Sequence, residues 1–156
     1  RETLRPIIEK ESIAYAVASV CNKEIDRINI LQASFKAMHI ALNKLESKPE
    51  ILLVDGNRFR PYKKMPHHCI IKGDCIYASI AAASVLAKTH RDEYIMRLHK
   101  SYKMYAWHNN KGYGTPEHRN AIQQHGLCRY HRRSFNIYAA QLNTSDMENC
   151  NIEDII

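Results

Sequence analysis

No apolar run in this 156-residue chain approaches the roughly 18 residues of a membrane-spanning helix. The longest runs, such as Ile51-Leu52-Leu53-Val54, have the length of a strand, and no membrane association is expected. Cysteine occurs five times, as Cys21, Cys69, Cys75, Cys128 and Cys150, but the count is odd, the spacing is irregular and no Cys-x-x-Cys pair exists. That pattern gives no disulfide framework and fits a reducing cytoplasm. It also argues against zinc at His67-His68-Cys69, because neighbouring residues of a strand point to opposite faces. The P-loop pattern Gly-x-x-x-x-Gly-Lys-Ser/Thr is missing, which disfavours a phosphotransferase-like enzyme. No internal repeat, low-complexity tract or dividing linker is visible. Neither a signal peptide nor an initiator Met opens the chain, and Arg1-Glu2-Thr3-Leu4-Arg5-Pro6 is expected to lie inside a longer protein.

What is present is globular in character. Hydrophobic residues make up 45% and charged residues 25%, a composition able to bury a core in a domain of ordinary size. The net charge of +7 is uneven. Between Leu86 and Ser134 ten basic residues stand against three acids, whereas the end of the chain from Phe135 holds four acids and no base. Five of the nine tyrosines and the single Trp lie in the same basic stretch. A basic segment carrying aromatics is the footprint expected for a polyanion such as nucleic acid, although composition alone does not separate it from a solvated basic helix.

Periodicity sketches an α/β chain. The first residues read as the end of a helix. Ser12 to Val20 alternates large and small side chains and predicts a strand. From Glu24 to Leu45, apolar residues recur every three or four positions and predict an amphipathic helix ended before Pro49. Ile51–Val54 and His67–Ile71 read as short strands. A long helix with a small-residue face is expected over 75–102. Thr115-Pro116-Glu117 is a strong helix start, with the stop at Gly126.

Asp55 closes an apolar strand, where open α/β sheets place their sites, and Asp74 closes the next strand at a similar point. Two carboxylates at neighbouring strand ends could converge on Mg²⁺ or Mn²⁺, which prefer hard oxygen ligands. Asp55 could equally be a turn former and Asp74 a helix cap. In Lys111-Gly112-Tyr113-Gly114-Thr115-Pro116, two glycines flank a tyrosine just before a helix start. Such a loop can approach a ligand closely, or be an ordinary Gly-rich turn. His131-Arg132-Arg133-Ser134-Phe135 is a compact basic cluster that a solvated turn would also explain.

These segments carry a resemblance. Val54-Asp55-Gly56-Asn57, Lys72-Gly73-Asp74, the run Ser79 to Asp92, Lys111-Gly112-Tyr113-Gly114-Thr115 and His131-Arg132-Arg133-Ser134-Phe135 stand in the order found in the type 2 ribonucleases H (ribonuclease HII). Glu24 to Leu31 also looks like that family's second helix. Each motif is weak alone, and five in order are specific. The resemblance spans residues 1–138, leaving 139–156 as an acidic tail. It implies a ribonuclease H-like fold, a mixed sheet flanked by helices. It also implies endonucleolytic cleavage of RNA in RNA–DNA hybrids and incision 5′ to a ribonucleotide embedded in duplex DNA, with Mn²⁺ or Mg²⁺. By position in the motifs, Asp55 matches the third of four metal-binding carboxylates and Asp74 the fourth. Tyr113 matches the tyrosine that senses the RNA–DNA junction. Lys72, Lys88, Arg91, Gly112, Thr115, Arg132, Ser134 and Asn29 are the candidate substrate contacts.

The chain departs from the family pattern at its start. The Asp-Glu-x-Gly-Arg-Gly motif that carries the first two carboxylates is not in it, and Asp92-Glu93 lies in a different motif. The first strands of the sheet are therefore expected to be missing from this chain. The expected function is a metal-dependent endoribonuclease, inactive as this stretch alone if the cage stays half-built. The alternative is a non-catalytic module that binds RNA–DNA hybrids.

Overall fold

The computed structural model describes residues 1–135, and the acidic tail read from the sequence at 139–156 lies outside them. The described chain falls into two compact units, Arg1–Ala18 with Ser34–His90, and Ser19–Ala33 with Arg91 onward.

In the first unit, helix α1 (Leu4–Glu11) buries no side chain. It is braced by the Arg5–Glu9 pair, 2.7 Å apart at i,i+4 spacing. The Ser12–Val20 strand does not form: these residues join no ladder among the described residues. Their alternation survives in burial, with Ile13 and Tyr15 exposed and Ala14 and Ala16 half-buried. Period-2 patterning reports which face is covered and not whether a neighbouring strand is there to accept hydrogen bonds.

Strand β1 (Leu52–Asp55) pairs in parallel with β2 (His67–Ile70), with Leu52 opposite His67 and Asp55 opposite Ile70. Among the described residues this pair is the whole sheet. Leu52 and Val54 point into a core completed by Tyr62, with Leu42, Phe59 and Met65 packed around it. Apolar burial of this kind stabilises at about 25 cal/mol per Å². The chain leaves β2 through a single tight turn, Gly73–Cys75, before α3 (Ala78–Ser101) begins.

Helix α2 (Asn22–Lys44) is not the continuous helix its periodicity predicts. Asn29 sits at φ 65° and ψ 165°, outside helical space, and divides it. The Asn29 Oδ1 accepts the Gln32 N–H at 3.1 Å, so its side chain caps the helical segment that follows. Apolar spacing continues across the break, so the break is invisible to periodicity, although Leu31 and Met38 of that spacing are exposed.

The second unit is built on Tyr105, Trp107, Ala121 and Ile122. Helix α4 (Trp107–Asn110) is a single turn, and α5 (Pro116–His125) starts as the sequence predicts. Thr115 Oγ1 accepts the His118 N–H at 3.3 Å, Pro116 occupies the first turn, and Gly126 ends the helix with φ 74°. No helix among the described residues is long and apolar enough to cross a membrane.

Candidate active site

Asp55 is the last residue of β1, and its carboxylate does not close a local turn. Oδ1 reaches across to accept the backbone N–H of Gly73 at 2.8 Å. Gly73 is required there by space. A Cβ at this position would lie 2.6 Å from Ile80 Cδ1, 3.4 Å from Ile70 Cβ and 3.6 Å from Asp55 Oδ1. Only a bare backbone can enter between the end of β2 and α3 and still offer its N–H to Asp55. Lys72, just before it, takes the left-handed conformation at φ 55°, which swings the chain into the turn.

Asp74 is the next residue, and its side chain is exposed. It sits inside the turn Gly73–Cys75, and α3 begins only at Ala78, so Asp74 does not cap the long helix. One hydrogen bond thus ties the strand carrying Asp55 to the turn carrying Asp74. Both are carboxylates, the hard oxygen donors that suit Mg²⁺ or Mn²⁺. They fit such an ion in kind but not in number. Among the described residues no group of three or more His, Cys, Asp or Glu side chains is placed to hold a metal. Lys72 is exposed beside this turn, and Lys88 is exposed on α3.

Of the remaining candidates, Arg91, Gly112, Tyr113 and Thr115 gather at the Gly-Tyr-Gly loop of the second unit. Lys111 and Gly112 have φ 48° and 76°, consecutive left-handed residues that turn the loop sharply. Asn110, which the sequence reading missed, holds the turn. Its buried amide donates from Nδ2 to the Tyr105 carbonyl at 2.8 Å and accepts the Gly112 N–H at Oδ1, also 2.8 Å. Its carbonyl accepts the Tyr113 N–H. The outcome is that Tyr113 stands 65% exposed, its ring under the Arg91 guanidinium at 4.9 Å. A large aromatic left this open is available to stack on a ligand. Gly112 lies close below the same arginine: a Cβ there would be 3.6 Å from Arg91 Nη2. Thr115 spends its hydroxyl on the helix cap.

The turn after α5 carries Arg132 and Ser134. Arg132 stacks its guanidinium over Phe135 at 3.7 Å. Burial and the nearby Arg91 charge both disfavour its protonated form, while Asp26 favours it. Arg91 and Arg132 are therefore two like charges held near one another, a local concentration of positive potential. The residue before Arg132 belongs to a stack of rings. His131 lies 5.3 Å from His118, their planes 16° apart, and 4.7 Å from Tyr105. Burial, with the neighbouring His118, pushes the His131 pKa down to about 4. Its Nδ1 accepts the Cys128 N–H at 3.0 Å, and its Nε2 has no hydrogen-bond partner among the described residues.

This layout corrects one expectation. Trp107 and Tyr105, counted with the basic aromatic footprint, are 3% and 2% exposed and form the core. Of the aromatics in that stretch, Tyr113 is the one that faces solvent most openly.

The model of the family Ribonuclease HII matches residues 1–138. The chain belongs to the ribonuclease HII family. It is 56% identical over 142 residues to ribonuclease HII of Christiangramia forsetii, covering 91% of this chain and 72% of that protein. It is 55% identical over 137 residues to the enzyme of Phocaeicola vulgatus, covering 88% and 68%. The crystal structure of ribonuclease H2 from Pyrococcus horikoshii OT3 is similar at a TM-score of 0.73 and 24% identity, over 87% of this chain and 72% of that one. That likeness shows the fold, a ribonuclease H-like α/β architecture. Ribonuclease HII is a family of metal-dependent nucleases, so the chain is a hydrolase of the ribonuclease H type.

Proposed function

We propose that this ribonuclease HII chain cleaves the RNA strand of RNA–DNA hybrids and incises duplex DNA 5′ to an embedded ribonucleotide, with Asp55 and Asp74 holding divalent cations, Mg²⁺ or Mn²⁺. The observation that carries this reading is the Gly73 N–H held by Asp55, which ties the strand end carrying one exposed aspartate to the turn carrying the other. Bound there, a pair of such cations would supply activation of water and stabilisation of the charge that builds on the departing 3′ oxygen. The chain's own part is to fix the donors. The Gly73 hydrogen bond occupies one face of the Asp55 carboxylate and leaves the rest of it for a cation. Two carboxylates leave most of an octahedral shell to water, phosphate oxygens and side chains other than those described here.

Substrate contacts divide by chemistry. Lys72, Lys88, Arg91 and Arg132 would bind backbone phosphates, which position a duplex without reading its sequence, while Ser134 gives its N–H and hydroxyl to Asp26 and would hold the turn beside Arg132. Tyr113, held open between two glycines, would lie against the sugar at the RNA–DNA junction. Gly112 lets its backbone come close, and Thr115 keeps the loop's exit fixed through its cap. Asn29 is a lesser contact, since its Oδ1 already serves α2. The cysteine spacing supports a reducing, cytoplasmic setting.

The test is to map products from three end-labelled substrates: an RNA–DNA hybrid, a DNA duplex with one ribonucleotide, and all-DNA duplex. The proposal expects cuts in the hybrid's RNA and a single cut 5′ to the lone ribonucleotide, with none in DNA. Hybrid binding without cleavage by the full-length protein in either metal would favour the non-catalytic alternative.

A further inference from the structure

The turn that carries Arg132 has no helix or strand of its own to stiffen it. Two side chains from the start of α2 take that role, and both were silent in the sequence. The Asp26 carboxylate accepts the Arg133 N–H at 2.8 Å and the Ser134 N–H at 3.0 Å, and also the Ser134 hydroxyl. Asn22 Nδ2 donates to the carbonyls of Arg129 at 2.9 Å and His131 at 2.8 Å. Each contact joins positions 107 to 109 residues apart, so the turn is fixed by tertiary structure and not by local chemistry.

The consequence falls on Arg132. The residues on either side of it are tied down, so its backbone cannot drift, and stacking on Phe135 restricts its side chain. Asp26 directs its hydrogen bonds to backbone and hydroxyl donors. It therefore anchors the turn without forming a hydrogen-bonded pair with the arginine. The guanidinium stays near its like-charged neighbour Arg91, and an anion between or before them would relieve the repulsion.

We propose that Asp26, supported by Asn22, is a positioning residue for nucleic-acid binding: it fixes the 131–134 turn so that Arg132, beside Arg91, meets one phosphate of the duplex backbone. This deepens the reading of Arg132 as a backbone contact and rests on it.

The experiment measures duplex affinity against salt, with kcat and KM, for the full-length enzyme and its Asp26→Asn, Arg132→Ala and doubly substituted forms. Loss of one phosphate contact lowers the slope of log K against log salt by about one. Near 0.1 M salt that corresponds to a KM roughly tenfold higher. Both single variants should show this with kcat within about twofold, and the double variant should be no worse than either, as expected for residues acting through one contact. Asp26→Glu, which keeps the acceptors, should recover part of the loss. If Arg132→Ala behaves as wild type, the reading of Arg132 fails and the proposal with it. If Arg132→Ala loses a contact while a folded Asp26→Asn keeps the wild-type slope and KM, the proposal alone fails. Should Asp26→Asn not fold, Asn22→Ala decides: it must raise KM and lower the slope in the same direction, and wild-type values for both overturn the proposal.

Discussion

Acid should weaken the second unit at pH values where its carboxylates are still ionised, and His131 is the reason. In an unfolded chain this imidazole titrates at about 6.5. In the fold, burial and the neighbouring His118 bring it to about 4. The folded pKa is depressed, so above pH 6.5 both states are neutral and the full stability is present. As pH falls from 6.5 toward 4 the unfolded chain takes a proton that the native ring refuses, and stability is lost. At 1.36 kcal/mol per unit, the whole window is worth about 3 kcal/mol. His118 is also shifted down, by burial, and adds in the same direction. Protonation would further break the hydrogen bond by which Nδ1 accepts the Cys128 N–H. Asp26 and Glu9 are held below their ordinary values, so their losses come at lower pH and can be told apart. The assay is urea denaturation at steps between pH 7.5 and 4.5, comparing wild type with His131→Gln. Wild type should lose about 2 kcal/mol more than the variant over that range. Parallel pH dependences would refute the argument that His131 is buried and neutral.

Four further outcomes are expected. Gly73→Ala forces a Cβ against the buried Ile80 and should cost about 1–3 kcal/mol, so an unchanged Tm would show that the turn is looser than described. Asn110→Ala strands the Gly112 N–H and removes one of two partners of the Tyr105 carbonyl, which keeps His118 Nδ1; it should cost about 1–3 kcal/mol and reduce cleavage at a lone ribonucleotide, as should Tyr113→Ala. For Tyr113→Ala that loss should exceed the loss of general duplex affinity; equal losses would mean that the ring only packs. Duplex affinity should fall with salt at a log–log slope of roughly −3 or steeper, and a flat response between about 50 and 200 mM would rule out a multi-phosphate footprint.

What the sequence disclosed and what it concealed divide by range. Thr115-Pro116-Glu117 specified its helix because caps and first-turn residues act within four positions. The short apolar run Ile51–Val54 specified β1 because a strand buried through Leu52 and Val54 needs little else, whereas β2 forms with His68 and Cys69 exposed. Asp55 was legible as a strand-end carboxylate, and its partner, the Gly73 N–H eighteen positions on, was not. Asp26, Asn22 and Asn110 were missed because each is an unremarkable polar residue until folding brings its acceptor or donor near. Ser12–Val20 and the 22–44 helix erred in the other direction. Their patterns fixed burial only in part, since Ile13, Tyr15, Leu31 and Met38 are exposed, and hydrogen bonding depended on a neighbour in one case and on the backbone of Asn29 in the other. Trp107 and Tyr105 show why a basic stretch rich in aromatics is ambiguous: charge stays at the surface while rings are free to become core.

The central claim is that Asp55 and Asp74 carry metal-dependent hydrolysis, and one variant tests it most directly. Asp55→Asn keeps the size of the side chain and an oxygen to accept the Gly73 N–H, but removes the charge that holds a cation. The measurement is the single-turnover rate of cleavage of a DNA duplex with one ribonucleotide, at saturating Mg²⁺, alongside duplex affinity and Tm. Removing a ligand worth several kcal/mol of charge stabilisation predicts a rate lower by roughly 10²- to 10³-fold, with affinity and Tm close to wild type. A rate near that of the wild type would contradict the account.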